Sequence, residues 1–576
     1  MRARYPLVIA GLVLLAACAA TPGARNGSAT ENLDPEALLA NGDAALERNE
    51  LPEAALSYRR AAEASDDEMV AEQATRAAFD HSQMQEAALA AERWLVLNPT
   101  SEQARRYAGV AALELHRLDA AEGHFASLLE TSYLSPAAGF LALLPVVIDH
   151  GTPPDVTELF KRLAARHPTV AEGQYALGSA ALRSENLGLA LASAQNAVQK
   201  APYWVPAKML LARTLIASGD EKAGLESARE LVMAPEADVA THLEYALLLA
   251  ATGRVEEARA MLTPYASGPT VIPGAVRSLG ALDLDQGDLD AANARFEDLL
   301  STGAQSYEAL YFLGNIADRR EDTERALRYY TRVAGGDYAL AAQSRVARIK
   351  AEQSGLDAGL AHLDEFLRGH PQRGPEIVAA RAGLAGAVGE NSRSLEILDA
   401  GLMQYPDSFD LRMARVFAYE RAGKPEAAIR ELRKLLKDRP DDAVVQNALG
   451  YTLADRDQNL DEAAALVGAA LAQTPDSAAV LDSMGWVRFR QGRLTEALEH
   501  LVRARDLGDD AEIDLHLGEV QWALGNRDEA RKTWQDALER RYATRPGGLE
   551  NAVFFESFYG RNASCKSQWD RAAQLR

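Results

Sequence analysis

Small and bulky apolar residues recur along most of the chain at a fixed set of spacings. An alanine follows a glycine by twelve residues, and a bulky apolar residue follows that alanine by four, as in Gly280, Ala292 and Phe296. We call such a set of three residues a frame. Comparable frames begin at Gly109, Gly178, Gly314, Gly485 and Gly518, and the frame at Gly178 has a small residue, Ala194, in its last position. Residues four apart share one face of a helix, and small residues let two helices cross closely. The pattern therefore predicts pairs of packed helices.

Prolines and glycines predict where these helices end. Proline lacks the backbone N–H and clashes with the preceding turn, so it ends a helix. The second helices of the pairs are expected to stop at Pro99, Pro168, Pro202, Pro406, Pro440 and Pro475. The turn inside a pair is predicted at Ser218–Asp220, Gln286–Asp288 and Gln491–Arg493, each with a central glycine.

The frames follow one another at a constant distance. The offset is 34 residues from Gly280 to Gly314 and 33 from Gly485 to Gly518. This repeat resembles the tetratricopeptide repeat, a helix–turn–helix unit of 34 residues. The resemblance implies an all-α tetratricopeptide-repeat solenoid, a right-handed superhelix with a concave groove, formed by roughly 15 helix pairs over residues 33–540. At this length we expect about two superhelical turns that partly enclose a partner.

Three stretches match the frame poorly. Pro145, Pro153 and Pro154 interrupt it within residues 137–168, and residues 341–406 are degenerate. One inserted residue is predicted at Asn459–Leu460.

Residues 541–576 leave the repeat and contain a group of aromatic residues: Phe554, Phe555, Phe558, Tyr559 and Trp569. One interpretation is a binding surface. The favoured interpretation is a C-terminal cap that covers the apolar edge of the last repeat, as arrays of this kind require.

Composition and charge exclude several classes of protein. The 576 residues suffice for three or four ordinary domains or one array, and the constant period favours the array. Abundant alanine fits close helix crossings. Two cysteines exclude a disulfide scaffold, and a net charge of −22 argues against binding nucleic acid.

The N-terminus is typical of a bacterial export signal. Arg2 and Arg4 precede a short apolar stretch, Leu7–Leu15, which is too short to span a membrane. The four residues Leu15–Cys18 resemble a lipobox. That resemblance implies cleavage between Ala17 and Cys18 and lipidation of Cys18; the alternative is an ordinary signal peptide with a chance cysteine.

Processing would change the mature chain. Residues 1–17 are the predicted lipoprotein signal peptide, and residues 18–32 are small, polar residues that predict a flexible tether. Ala19 follows the lipobox where many inner-membrane lipoproteins have aspartate, so we expect an outer-membrane anchor facing the periplasm. The net charge changes from −22 to −24 with the loss of two arginines. Lipidation of Cys18 leaves Cys565 without a cysteine to pair with in the chain. We interpret Cys565 as a small buried residue, and alternatively as half of an intermolecular disulfide or as a reactive thiol.

No motif for catalysis, cofactor binding or metal binding is found. The chain lacks H-E-x-x-H, Gly-x-Ser-x-Gly and a phosphate loop around Gly423–Lys424. Gly383, Gly386 and Gly389 are interpreted as close helix-packing positions. We therefore predict no catalytic residue, cofactor or metal, and the partner-binding residues stay unknown from sequence.

Several charged groups have a structural and a functional interpretation. The histidines His116 and His124, and His362 and His370, are expected to be solvated or packed and not to form sites. Asp441–Asp442 and Asp509–Asp510 are expected to favour helix starts, because aspartate caps helices. A group of three arginines is expected to form a solvated face paired with Glu496 and Glu499, and alternatively to bind a carboxylate or acidic peptide: Arg488, Arg490 and Arg493.

Residues 447–504 carry a more specific resemblance. The phrases Ala448–Arg456 and Asp476–Val487 resemble a family of long proteobacterial outer-membrane repeat lipoproteins. The characterised member of that family is the lipoprotein binding partner of a periplasmic carboxyl-terminal processing protease. The resemblance implies a non-catalytic adaptor that binds this serine protease and presents peptidoglycan cross-link hydrolases to it.

Two other classes compete with the adaptor. Repeat lipoproteins also act as envelope assembly scaffolds in polysaccharide export, pilus secretin assembly and outer-membrane protein insertion. A hidden enzyme would need a separate non-repeat domain, and residues 33–540 contain no stretch long enough for one.

Overall fold

The computed structural model describes residues 34–267, 270–508 and 510–543, with side chains to residue 537. These residues contain 30 α-helices, one short 3-10 helix at Pro371–Arg373, and no strand. The predicted all-α solenoid of helix pairs is confirmed for this part of the chain.

The helices follow one another with short turns. The first ten are α1 Pro35–Glu47, α2 Leu51–Ala64, α3 Glu68–Asp80, α4 Met84–Leu97, α5 Glu102–Glu114, α6 Leu118–Thr131, α7 Pro136–His150, α8 Pro153–Arg166, α9 Ala171–Arg183 and α10 Leu187–Lys200. The next ten are α11 Val205–Ala217, α12 Glu221–Val232, α13 Val239–Ala251, α14 Val255–Ser267, α15 Pro273–Asp285, α16 Leu289–Ser301, α17 Ser306–Arg319, α18 Thr323–Tyr330, α19 Ala339–Ser354 and α20 Leu356–Gly369. The last ten are α21 Gly374–Ala387, α22 Asn391–Gln404, α23 Phe409–Arg421, α24 Pro425–Asp438, α25 Ala443–Asp455, α26 Leu460–Gln473, α27 Ala478–Arg490, α28 Leu494–Leu507, α29 Ala511–Ala523 and α30 Arg527–Ala543.

The residues of the frame form the contact inside each pair. The alanines at its second position, such as Ala292 and Ala326, have no exposed surface. A Cβ atom added at Gly314 would lie 2.7 Å from the ring of Tyr330, and one at Gly280 would lie 2.9 Å from that of Phe296. Glycine is therefore required there because the bulky residue of the second helix occupies the space of a side chain.

The helix ends agree with the sequence prediction. Even-numbered helices end two residues before each of the six prolines, for instance α24 at Asp438 before Pro440. The central glycines of the three predicted turns have positive φ, from 75° at Gly492 to 89° at Gly219. This conformation strains other residues, which explains why glycine recurs there.

The poorly matching stretches are also helical. α7 continues through Pro145, and α8 begins at Pro153, where a missing N–H costs nothing. Residues 341–406 form α19 to α22. At the inserted residue, Asp457 and Asn459 both have positive φ, which lets the longer turn close before α26.

Odd-numbered helices line the inner face of the solenoid. Those of successive pairs contact one another directly, for example α21 with α23 and α25 with α27. Elements on the concave side of a curved stack lie closer together than those on its convex side. The odd-numbered helices therefore form the concave surface.

The superhelix completes more than one turn, and successive turns touch along a seam. At the seam, the loop between the two helices of an early pair contacts the loop that follows a pair eight to ten pairs further along the chain. Gln83 Nε2 donates to the Gln404 carbonyl at 2.8 Å, and Arg439 Nη2 donates to the Glu114 carbonyl at 3.1 Å. The Leu187 N–H donates to Asp476 Oδ2 at 3.1 Å, across 289 residues of sequence.

Candidate protein-binding face

One position of the repeat locates the concave surface on each odd-numbered helix. It is the residue directly after the small first residue of the frame, and we call it the inner-face position. Trp486 holds it in α27, after Gly485, and its ring stacks on His516 of α29 at 4.3 Å. Because this side chain contacts the next odd-numbered helix, the position lies on the inner face.

The middle of the inner face carries exposed apolar side chains. Leu247 of α13 is 46% exposed and Phe417 of α23 is 42% exposed, both at the inner-face position. Gly383 holds the same position in α21 and leaves open space, since an added Cβ would contact nothing within 4 Å. This surface offers apolar contacts and room for a polypeptide segment.

Ion pairs link successive odd-numbered helices beside these residues. Arg213 of α11 lies 3.3 Å from Glu244 of α13, and Arg456 lies 3.4 Å from Glu420 of α23. Burial raises the pKa of Glu244 and of Glu420, and the paired arginine acts against that shift in each case. The inner face therefore combines apolar side chains with charged groups partly removed from water.

The inner face changes character in the last two pairs. His516 Nδ1 lies 2.9 Å from Asp482 Oδ1, and both side chains are buried. The Tyr451 hydroxyl lies 2.9 Å from Glu512 Oε1. Trp486 covers the imidazole of His516. This end of the face is polar and closed, whereas the middle is apolar and open.

Two cavities lie along the seam. One of about 650 Å³ is lined by Glu114, His150, Asp407 and Asp410, among others, and one of about 920 Å³ by His116, Arg162 and Asp441. Burial raises the pKa of Asp410, and the nearby Glu114 carboxylate, across the seam, raises it further. Burial also raises the pKa of Asp407.

The candidate histidines do not assemble into sites. His116 Nδ1 lies 2.8 Å from Asp155, and His124 Nε2 lies 2.9 Å from Glu92. His362 Nε2 lies 2.7 Å from Gln343 Oε1, whereas the ring of His370 packs at a tilt against that of Phe366, with ring centroids 4.2 Å apart. Each ring has its own packing or hydrogen-bond role, so the expectation of packed histidines is confirmed.

The candidate charged groups are structural. Arg493 lies 2.6 Å from Glu496 and Arg488 lies 3.5 Å from it, whereas Arg490 Nε donates to Asp457 Oδ1 at 2.9 Å. The pairing with Glu496 is thus confirmed. The expected solvated face is wrong for Arg488 and Arg490, whose side chains are mostly buried, and holds for Arg493. Two aspartates begin helices as expected, because their carboxylates accept from backbone N–H groups of α25 and α29: Asp442 and Asp510.

The packing interpretation of the three glycines is wrong for two of them. Gly383 faces open space on the inner face. Gly389 follows α21 with φ 85° and makes a turn. Only Gly386 makes a close approach, with an added Cβ 3.0 Å from Arg421 Nε. Gly383 and Gly386 lie about 60° apart around α21 and meet different surroundings, whereas Gly389 lies beyond the end of the helix.

Other predicted positions lie outside the described residues. These are the cleavage and lipidation residues Ala17 and Cys18, the tether, Asp509, Cys565 and the aromatic group of residues 554–569. Within the described ranges no three His, Cys, Asp or Glu side chains are grouped as a metal site. No helix in those ranges combines the length and the apolar character that crossing a bilayer demands.

Sequence reasoning missed the inner-face residues and the seam. The repeat pattern could have predicted Leu247 and Phe417 at the inner-face position. Each directly follows a small or β-branched residue that precedes a buried alanine by twelve positions. The seam residues Gln404 and Asp476 carry no such signal, since their partners are polar groups hundreds of residues away.

Comparison with known proteins supports the repeat assignment. One tetratricopeptide repeat family model matches residues 157–203, 278–343 and 483–546, and a second matches residues 385–450. Together with the 30 helices of the described residues, these matches show a tetratricopeptide-repeat solenoid. Such repeats indicate a protein–protein interaction scaffold, and the fold is typically non-catalytic.

One curated relative shares part of the chain. The TPR repeat-containing protein PA4667 of Pseudomonas aeruginosa is 33% identical over 213 residues, which are 37% of this chain and 36% of that protein. The match thus spans about a third of the length of that relative.

Solved structures include other repeat proteins. Yeast Tom70 matches 93% of this chain and 96% of its own, with 12% identity and a TM-score of 0.35. A tetratricopeptide repeat protein from Parabacteroides merdae matches 50% of this chain and 97% of its own, with 15% identity and a TM-score of 0.30.

Proposed function

We propose that this chain is a non-catalytic lipoprotein adaptor of the bacterial envelope. It binds a periplasmic carboxyl-terminal processing protease and presents peptidoglycan cross-link hydrolases for degradation. The adaptor role is supported by the resemblance of residues 447–504 to outer-membrane repeat lipoproteins. The location, at the outer membrane facing the periplasm, is supported by the lipobox-like Leu15–Cys18.

The observation that carries the proposal is the inner face. Exposed Leu247 and Phe417 stand on odd-numbered helices five pairs apart, with charged groups beside them. A surface of this extent holds two partners at once and raises their effective concentration without any chemistry of its own. The protease therefore supplies the catalytic residues, and this chain supplies placement.

Affinity capture tests the adaptor role. The tagged full-length protein and its Phe417→Asp variant are purified from membranes after mild cross-linking. We expect the unaltered protein to retain a tail-processing protease together with wall hydrolases, and the variant to lose one or both, because a carboxylate there opposes apolar contact. Recovery of export or outer-membrane insertion machinery in their place would support an assembly scaffold and contradict the adaptor.

Membrane attachment has a separate test. Cys18→Ser removes the thiol that carries the lipid, so the protein should appear in the soluble periplasm or stay uncleaved. Fractionation followed by immunoblotting measures this. Retention of a cleaved Cys18→Ser protein in the outer membrane contradicts the lipid anchor.

A further inference from the structure

The two edges of the first superhelical turn differ in what covers them. The loops inside the helix pairs form one edge, which contacts the second turn at the seam through residues such as Gln83 and Leu187. The connections between successive pairs form the other edge, because every odd-numbered helix begins there. This second edge faces away from the second turn. We call four of its connections the outer rim: residues 98–101, 132–135, 167–170 and 201–204.

The outer rim contains no aspartate, glutamate, lysine or arginine. Its four connections follow one another along the array, between α4 and α11. The connections of the second turn at the seam are different, since residues 405–408, 439–442 and 474–477 each contain aspartate. Charged residues make up 25% of the whole chain. A run of uncharged loops along one edge therefore indicates a neighbour that is less polar than water.

Two connections of the outer rim present large apolar side chains at their tips. Leu134 is completely exposed, and Tyr203 is 94% exposed. The loop that carries Tyr203 is held in place by the next residue, since the ring of Trp204 packs on that of Tyr175 in α9 with centroids 5.0 Å apart. A single exposed apolar residue is ordinary on a protein surface. Here two of them project from the same uncharged edge.

We propose that the outer rim rests on the surface of a lipid bilayer, with Leu134 and Tyr203 inserted among the lipid headgroups. Tyrosine is favoured at this depth because its ring is apolar and its hydroxyl polar. The exposed Lys200, which ends α10 just before the rim, is placed to meet lipid phosphates. The helices that begin after these two connections, α7 and α11, have no acidic residue in their first turns to oppose that contact.

The shape of the rim favours lipid over a protein partner. A stable protein interface buries about 800 Å² on each side, with matching surfaces. Leu134 and Tyr203 stand on separate loops, with the connection at residues 167–170 between them. A fluid lipid surface accepts such isolated tips without a complementary shape, and its affinity grows with the apolar area that enters it.

The proposed lipid anchor acts on the same edge. α1 begins at Pro35, and the start of an odd-numbered helix belongs to the edge that carries the outer rim. A fully extended chain over residues 18–34 spans at most about 60 Å, so an anchored Cys18 keeps this edge near the bilayer. This step rests on the proposed function, in which Cys18 carries the lipid. The rim contact then adds a fixed orientation to an otherwise loose attachment.

Quenching by spin-labelled lipid tests the placement in the full-length lipidated protein. The protein is reconstituted into vesicles of phosphatidylethanolamine and phosphatidylglycerol that carry a doxyl group on the acyl chain. A nitrobenzoxadiazole fluorophore is attached at Leu134→Cys or Tyr203→Cys in a Cys565→Ser background. The control is Val388→Cys, because Val388 is 47% exposed in the loop between α21 and α22, on the opposite edge of the second turn. We expect several-fold stronger quenching at positions 134 and 203 than at position 388.

A second pair of variants tests whether the two apolar tips hold the rim down. The fluorophore is moved to Thr169→Cys, in the connection between them. Leu134→Asp/Tyr203→Asp should reduce its quenching several-fold, because a carboxylate is unfavourable among lipid chains. Val388→Asp should leave it unchanged.

Two results overturn the proposal. Equally weak quenching at positions 134, 203 and 388 means that the rim does not lie on the bilayer. Fluorophores on the rim that are shielded from water without lipid, and lose this shielding on dilution, assign the rim to a second copy of the chain. Mass spectrometry of the N-terminal peptide measures lipidation separately, and none of these readouts needs the protease. Failure of the rim contact is therefore distinguishable from failure of the anchor or of the adaptor role.

Discussion

Contacts between neighbouring helices and contacts across the seam differ in chemistry and in range. Neighbouring helices pack alanines against rings such as Phe296 and Tyr330, which have almost no exposed surface. The seam consists of hydrogen bonds between turns, over separations of 287 to 353 residues, together with apolar packing of Leu51 against residues of α19 to α23. The first kind sums along the array and sets its stability. Each seam hydrogen bond contributes only about 1 kcal/mol to stability. The seam contacts therefore determine the shape of the superhelix more than its stability.

The largest expected effect comes from removing a ring between helices. Phe296→Ala deletes a fully buried side chain of α16 and should lower the free energy of unfolding by about 3–5 kcal/mol. The matched control is Phe417→Ala on the inner face, where the ring is 42% exposed, and it should cost about 1 kcal/mol or less. Chemical denaturation measures both. Equal losses would show that the packing frame is not what stabilises the array.

Acid should weaken packing around one histidine. Burial, with Lys350 nearby, lowers the pKa of His362 to about 4, and its two ring nitrogens bond Lys350 and Gln343 as a neutral imidazole. An unfolded histidine takes up its proton near pH 6.5. Stability is therefore complete above that pH and falls as the pH drops towards 4. Thermal unfolding of His362→Gln should show a smaller loss over this window, and an unchanged loss would rule out His362 as its source.

A fall in pH should stabilise the closed seam, in contrast to its effect on the packing around His362. The raised pKa values of Asp407 and Asp410 mean that the closed seam favours their protonated forms. Their ionisation opposes closure above those values, and this opposition disappears as the pH falls towards the ordinary aspartate value near 4. Small-angle scattering should show a more compact particle in mild acid, and the Asp407→Asn/Asp410→Asn variant should lose that response. A variant that still compacts to the same extent would place the response elsewhere.

The smallest effect on stability, with a visible effect on shape, is expected at the seam bonds. Asp476→Ala removes the acceptor for the Leu187 N–H and should cost about 1 kcal/mol. The radius of gyration should nevertheless increase, because the turns separate while each helix pair stays folded. Asp441→Ala, in the preceding connection between α24 and α25, is the control. A stability loss as large as that of Phe296→Ala would contradict the division between packing and seam.

This division also explains what the sequence could predict. The frame from Gly314 through Ala326 to Tyr330 is local, so the fold and its helix ends could be predicted from spacing alone. Gly383 was misinterpreted because spacing alone does not show which side of a helix is covered. The bond between Arg439 and the Glu114 carbonyl joins residues 325 apart through a backbone acceptor that every residue has. No pattern of residue types identifies such a contact.

The inner face as the partner-binding surface is tested most directly by site-specific photo-cross-linking. A benzoylphenylalanine probe replaces Phe417 on the inner face, or Met233, which directly follows α12 and is more exposed, as the control. In membranes containing the full-length protein, the probe at position 417 should cross-link to a carboxyl-terminal processing protease or its wall-hydrolase substrate, and the probe at position 233 should not. Cross-linking of these partners from position 233 alone would contradict the account.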